Sequence, residues 1–201
     1  TLENYTKDLE KIIEDEGIQK ATIVGHSMGT MVAQNYATKH PNKVESLILT
    51  SGSYDFKKTF GSNLPKKLLL SLTPVMRLGL NMYNKLNGLK YKNREENYID
   101  FSEERFRNIS DLDFTLELYS KSSPEYVKAM YILSNEIMKW NTEQIAPKIQ
   151  APTMLIHGGS DNAVVPRTAY ELHEMIPNSK KPVIIPNSRH GVVFQSPELV
   201  N

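Results

Sequence analysis

Ala21-Thr22-Ile23-Val24-Gly25-His26-Ser27-Met28-Gly29 is a short β-rich apolar run that closes on a glycine and is followed at once by a serine between polar and small residues. Its last five residues, Gly25 to Gly29, fit G-x-S-x-G, the sharp strand-to-helix turn that strains the backbone at its serine and lifts the hydroxyl clear of a sheet. The flanking glycines let neighbouring chain approach without a Cβ in the way. The pattern acquires meaning from context: a strand must precede it and a helix must follow.

Both are expected here. Lys20 to Val24 reads as a buried strand, and Met31, Val32, Gln34, Tyr36 and Ala37 follow at helical spacing until Pro41 ends the run. Upstream, Leu2, Tyr5, Leu9, Ile12 and Ile13 recur on one helical face, with Gly17 as the stop. Downstream, Val44 to Leu49 is a second strand. Helix, strand, helix, strand at this rhythm predicts a parallel sheet with crossover helices.

From about Asp55 to Pro147 the rhythm is lost, and helical patches are expected at Leu68–Leu80, Phe114–Tyr119 and Tyr126–Trp140. Ser123-Pro124-Glu125 is a helix start, with Ser as N-cap and Pro at the first helical position. The sheet pattern returns with the strand Pro152–His157, a helix over Pro166–Met175 and the strand Pro182–Ile185. A polar loop, Asn187-Ser188-Arg189-His190-Gly191, follows, and Pro197 opens a further helix.

The 201 residues carry a net charge of +1, and 39% are hydrophobic, the composition of an ordinary globular chain. With no cysteine, disulfides, thiolate metal sites and cysteine nucleophiles are excluded. Charge is spread evenly, so no nucleic-acid partner is expected, and no run of about 18 apolar residues predicts a membrane span. Thr1-Leu2-Glu3-Asn4-Tyr5 lacks the layout of a signal peptide, which leaves the cytoplasm as the default expectation. No H-E-x-x-H, G-x-G-x-x-G or Walker A pattern occurs, so neither metal nor nucleotide cofactor is expected.

A serine hydroxyl is a weak nucleophile at neutral pH and needs a base, which in turn needs an orienting group. Of the five histidines, His26 adjoins the serine and is expected to point away from it, His40 closes a helix, His157 ends an apolar strand, and His173 lies within a helical pattern. Each reads as structural or solvent-exposed. His190 alone lies in a polar loop after the last strand, where it can reach over the sheet. For the acid, Asp161 follows a strand and the turn residues Gly158-Gly159-Ser160; Asp55, also after a strand, is its competitor, and an Asx-turn is the purely structural role open to Asp161. The helix after Ser27 directs backbone N–H groups at a reacting carbonyl, Met28 N–H first among them. Ser27, Asp161 and His190 then follow in the chain order Ser, Asp, His.

In these motifs the sequence resembles the α/β-hydrolase superfamily, in its lid-bearing branch of serine esterases and lipase-like enzymes. The resemblance covers Leu2 to Tyr54 and Ile149 to Val200, and it implies an α/β fold of mostly parallel sheet, flanking helices and an inserted helical cap. It divides the chain into core residues 1–55 with the elbow, a cap at 56–147, and core residues 148–201 with acid and base. It further implies Ser27 as nucleophile, His190 as base, Asp161 as acid, no cofactor, and a small-molecule ester or acyl substrate as partner. Leu64, Leu68, Leu72, Met76, Leu80 and Met82 of the cap favour an apolar substrate group, although core packing explains the same residues. Family members carry several strands before the helix near Leu2, including a loop that supplies a second oxyanion donor; the 201 residues alone are therefore expected to be poorly active. Carbon–carbon bond hydrolysis, acyl transfer, perhydrolysis and a low-turnover receptor are the alternatives that share this framework.

Overall fold

The computed structural model describes residues 1–59, 129, 132–133 and 135–200. The chain forms two units, Thr1–Gly61 with Glu136–Asn201, and Ser62–Asn135. The helices expected at Leu68–Leu80 and Phe114–Tyr119, the first part of Tyr126–Trp140, and the apolar cap residues lie outside the described residues.

The first unit opens with α1 (Leu2–Asp15). Thr1 caps it, its hydroxyl accepting from Asn4 N–H at 3.2 Å. At the other end Gly17 takes φ +64° and donates to Glu14 O, while Ile18 N–H reaches back to Ile13 O. These two bonds satisfy carbonyls that the helix leaves unpaired, and the left-handed turn between them is why glycine stands there. Strand β1 (Ala21–His26) follows, then α2 (Met28–Lys39), strand β2 (Val44–Thr50) and the short helix α3 (Phe56–Thr59). After the second unit come β3 (Thr153–Gly158), α4 (Arg167–Met175), β4 (Val183–Ile185), α5 (Val192–Gln195) and α6 (Pro197–Val200).

The four strands form one parallel sheet in the order β1-β2-β3-β4. Ile23, Leu47, Leu49 and Leu155 join Ala33, Tyr36 and Leu172 in the main core, with α2 packed on β1 and β2 and α4 on β3. Strand residues alternate between faces, so Val24, Ile48, Met154 and Val183 turn the other way. That second face is only partly covered. Ile156 and Ile185 are buried there with Val192 of α5, whereas Val24 is 63% exposed.

Helix α2 is buried on several sides, which explains why its apolar residues are interleaved with small and polar ones. Gln34 is fully buried and satisfied: its Nε2 donates to Ser53 O at 3.0 Å, and its Oε1 accepts from Thr142 Oγ1 at 2.7 Å. This links α2 both to the segment after β2 and to the chain that leads into β3. Asp55, the competing acid of the sequence reading, has a structural task. Its Oδ1 accepts from Lys57 and Lys58 N–H, starting α3, and its Oδ2 accepts from Asn141 Nδ2.

Candidate active site

Parallel strands bring their carboxyl ends, and the loops that leave them, to one edge of the sheet. β1, β3 and β4 end at His26, Gly158 and Ile185, so residues 27, 161 and 190 emerge at the same edge.

Ser27 stands between β1 and α2 with φ 52° and ψ −120°, a left-handed conformation that L side chains seldom adopt. Strain of this kind costs about 1–3 kcal/mol and persists only where neighbours enforce it. Ser27 N–H donates to Thr50 O at 2.9 Å, and Ser27 O accepts from the hydroxyl of Thr30 at 2.6 Å. A Cβ on Gly25 would lie 2.7 Å from Gly29 O and 2.9 Å from Thr30 Cα, so glycine is required at that position. Gly29 differs from the sequence expectation: a Cβ there meets nothing within 4 Å. Close approach explains the first glycine of the motif and not the second.

The loop carrying His190 is pinned on both sides. Gly159 N–H donates to Ile185 O and Ser160 N–H to Ser188 O, each at 2.8 Å, while Arg189 N–H donates to Gln195 Oε1 at 2.7 Å. Gly158 makes the second of these contacts feasible, because a Cβ there would stand 2.2 Å from Arg189 O and 2.5 Å from Ser188 O. The loops after β3 and β4 are thereby held backbone to backbone.

Within this frame Ser27, His190 and Asp161 form a continuous hydrogen-bonded chain. His190 Nε2 lies 2.8 Å from Ser27 Oγ, and His190 Nδ1 lies 2.9 Å from Asp161 Oδ2. A carboxylate accepts only, so Nδ1 carries the hydrogen and Nε2 presents a lone pair to the serine hydroxyl. Asp161 Oδ1 accepts from Ala163 and Val164 N–H, both at 2.9 Å. The Asx-turn and the contact with the histidine therefore coexist, one on each oxygen. Burial raises the proton affinity of Asp161, but hydrogen bonds from His157, then from His190, outweigh it and hold the carboxyl well below its ordinary range. Met28 is the first residue of α2, and its N–H is one of those that a helix start leaves without an intrahelical partner.

Two other histidines belong to this neighbourhood, and the sequence reading assigned neither to it. His26, expected to point away from the serine, has its ring 5.3 Å from that of His190, centroid to centroid. Its Nδ1 lies 3.0 Å from Thr50 Oγ1, and burial, followed by the neighbouring His190, lowers its pKa to about 4. His157 is buried, with Nε2 3.2 Å from Asp161 Oδ2. The spacing His157-x-x-x-Asp161 across a glycine turn is the signal for it in the sequence. His40, in contrast, pairs with Glu10 on α1, and His173 Nδ1 lies 2.7 Å from Ser179 Oγ at the end of α4.

A parallel sheet with a strained serine between strand and helix, and acid and histidine in the loops after later strands, is the arrangement of an α/β hydrolase. The chain belongs to that family: the family model described as alpha/beta hydrolase fold matches residues 1–197. Among curated relatives, the probable lysophospholipase L2 of Haemophilus influenzae is 20% identical over 95% of this chain and 60% of its own length. The bifunctional esterase/perhydrolase DCH of Acinetobacter calcoaceticus is 24% identical over 100% of this chain and 71% of its own length. Among solved structures, an alpha/beta hydrolase enzyme from a Medee basin deep-sea metagenome library superposes with a TM-score of 0.71 at 21% identity, covering 97% of this chain and 67% of that one. The chain thus spans about 60% of the length of the first of these relatives.

Proposed function

We propose that the protein is a serine hydrolase that cleaves carboxylic esters or related acyl substrates of small molecules through an acyl-enzyme. The observation that carries this reading is the hydrogen-bonded chain from Ser27 Oγ through His190 to Asp161 Oδ2, at 2.8 and 2.9 Å. His190 Nε2 takes the hydroxyl proton as Ser27 Oγ attacks the carbonyl carbon, and Asp161 stabilises the imidazolium that forms. Met28 N–H, with the positive end of α2 behind it, faces the developing oxyanion. The imidazolium then protonates the leaving alcohol. Water, deprotonated by the same nitrogen, attacks the acyl-enzyme and releases the acid. The relatives whose names include an esterase and a lysophospholipase support an ester substrate.

The test is labelling of the full-length protein with a fluorophosphonate, followed by turnover of p-nitrophenyl esters of increasing acyl length. Label is expected on Ser27, absent from Ser27→Ala, with turnover lowered roughly 10⁶-fold in that variant. Folded protein that takes no label at Ser27 overturns the reading.

A further inference from the structure

His157 is a buried imidazole that the mechanism above does not use, and its surroundings are specific. It is the penultimate residue of β3, 1% exposed, with Nε2 3.0 Å from Val164 O and 3.2 Å from Asp161 Oδ2. A carbonyl and a carboxylate both only accept, so Nε2 carries a hydrogen shared between them whatever the charge of the ring. His190 donates to the same Oδ2 from Nδ1. The two imidazoles around this oxygen therefore use opposite nitrogens, one ring entering from the strand end and the other from the loop after β4.

The contacts close on themselves. His157 donates to Val164 O, Val164 N–H donates to Asp161 Oδ1, and Asp161 Oδ2 lies 3.2 Å from His157 Nε2. Two backbone N–H groups fix Oδ1, but by themselves they leave the carboxylate free to swing Oδ2 about that anchored atom. The remaining partner of Oδ2 is His190, whose ring must shift its attention between Ser27 and a leaving group. A carboxylate held only by that ring would follow it.

We infer that His157 is a positioning residue of the triad: its Nε2–H clamps Asp161 so that Oδ2 stays on line with His190 Nδ1 through the reaction. The inference rests on the proposed triad. It is supported by the position of the buried His157 Nε2, 3.2 Å from Asp161 Oδ2 and on the opposite nitrogen from that which His190 presents. Substrate is not touched by His157, so its loss acts on the chemical step and not on binding.

Glutamine places an amide N–H as many bonds from Cβ as His Nε2, and methionine fills a similar volume with no donor. In the full-length protein, His157→Gln is expected to keep kcat for a p-nitrophenyl ester within about tenfold of the wild type, whereas His157→Met loses about 100-fold, the scale of an ångström-sized misplacement. KM stays within about twofold in both. Melting curves recorded alongside establish that both variants fold. Independently, ¹⁵N–¹H correlation of the histidine rings of the unaltered protein is expected to show His157 with hydrogen on Nε2, its shift moving in Asp161→Asn.

A folded His157→Met with wild-type kcat overturns the inference, as does equal loss in the Gln and Met variants, or a His157 Nε2 without hydrogen. If His157→Met does not fold, the ring spectrum and the Gln variant decide. Wild-type protein inert to the fluorophosphonate removes the triad reading and this inference together. Wild-type protein that labels at Ser27 while His157→Met labels equally fast removes this inference alone.

Discussion

Ser27 Oγ and His190 Nε2 stand 2.8 Å apart although they are separated by 163 positions in the chain. That closeness depends on two backbone junctions: Ser27 N–H on Thr50 O, which ties the elbow to β2, and Ser160 N–H on Ser188 O, which ties the acid loop to the histidine loop. Side-chain chemistry at the edge of the sheet is thus set by which carbonyls the loops find, and each junction can be tested.

The two carboxylates that follow strands are expected to separate by role. Asp161→Asn puts amide hydrogens or a weaker acceptor where His190 Nδ1–H donates and favours the wrong tautomer of the ring; kcat is expected to fall about 10⁴-fold with the fold intact. Asp55→Ala leaves kcat near wild type but removes the acceptor at the start of α3, lowering stability by about 0.5–2 kcal/mol. Ester turnover and urea unfolding of the two variants check the contrast, and the reverse pattern would return Asp55 as the acid.

Three glycines at the site differ in what a methyl group would meet. Gly158→Ala drives Cβ into the carbonyls of Ser188 and Arg189, backbone atoms that cannot turn aside, so loss of about 1–3 kcal/mol or more, together with activity, is expected. Gly25→Ala strikes Gly29 O and the start of α2 in the same way. Gly29→Ala meets open space inside a helix and is expected to gain about 0.5–1 kcal/mol. Thermal melts of the three rank them.

Acid sensitivity follows from His26. Its folded pKa of about 4 lies below the ordinary value of 6.5, so between these values the unfolded chain binds the extra proton and the folded one does not. Stability therefore rises with pH across that window and is lost as pH falls from about 6.5 towards 4. Asp161 adds to the loss below about pH 4, where its carboxyl is protonated more readily in the unfolded chain. Unfolding free energies from pH 4 to 7 are expected to decline on acidification, and His26→Gln to flatten the decline. An unchanged slope in that variant assigns the effect elsewhere.

Inside the unit, Thr142→Val removes the donor to Gln34 Oε1 and leaves a buried amide oxygen unsatisfied. Destabilisation of about 1–3 kcal/mol is expected, and the double variant with Gln34→Leu is expected to lose more, because the buried Ser53 O then lacks its donor as well. A double-mutant cycle by denaturant unfolding measures the coupling.

The sequence by itself determined the order of strands and helices in the sheet unit, the elbow, and the identities of Ser27, His190 and Asp161 as candidates. These rest on local rules: apolar period, glycine and proline punctuation, and a motif that fits only between strand and helix. Even the two glycines of the elbow were legible as a pair, but only the fold separates Gly25, pressed against the start of α2, from Gly29, which touches nothing. The fold alone also decided the roles of three residues. Asp55 turned into a cap because Asn141 and the start of α3 meet it. His26 and His157, read as structural or solvent-exposed, came to lie against His190 and Asp161. The physical reason is common to all three: parallel strands gather the ends of distant segments at one edge, and hydrogen bonds between those ends leave no trace in the spacing of residues along the chain.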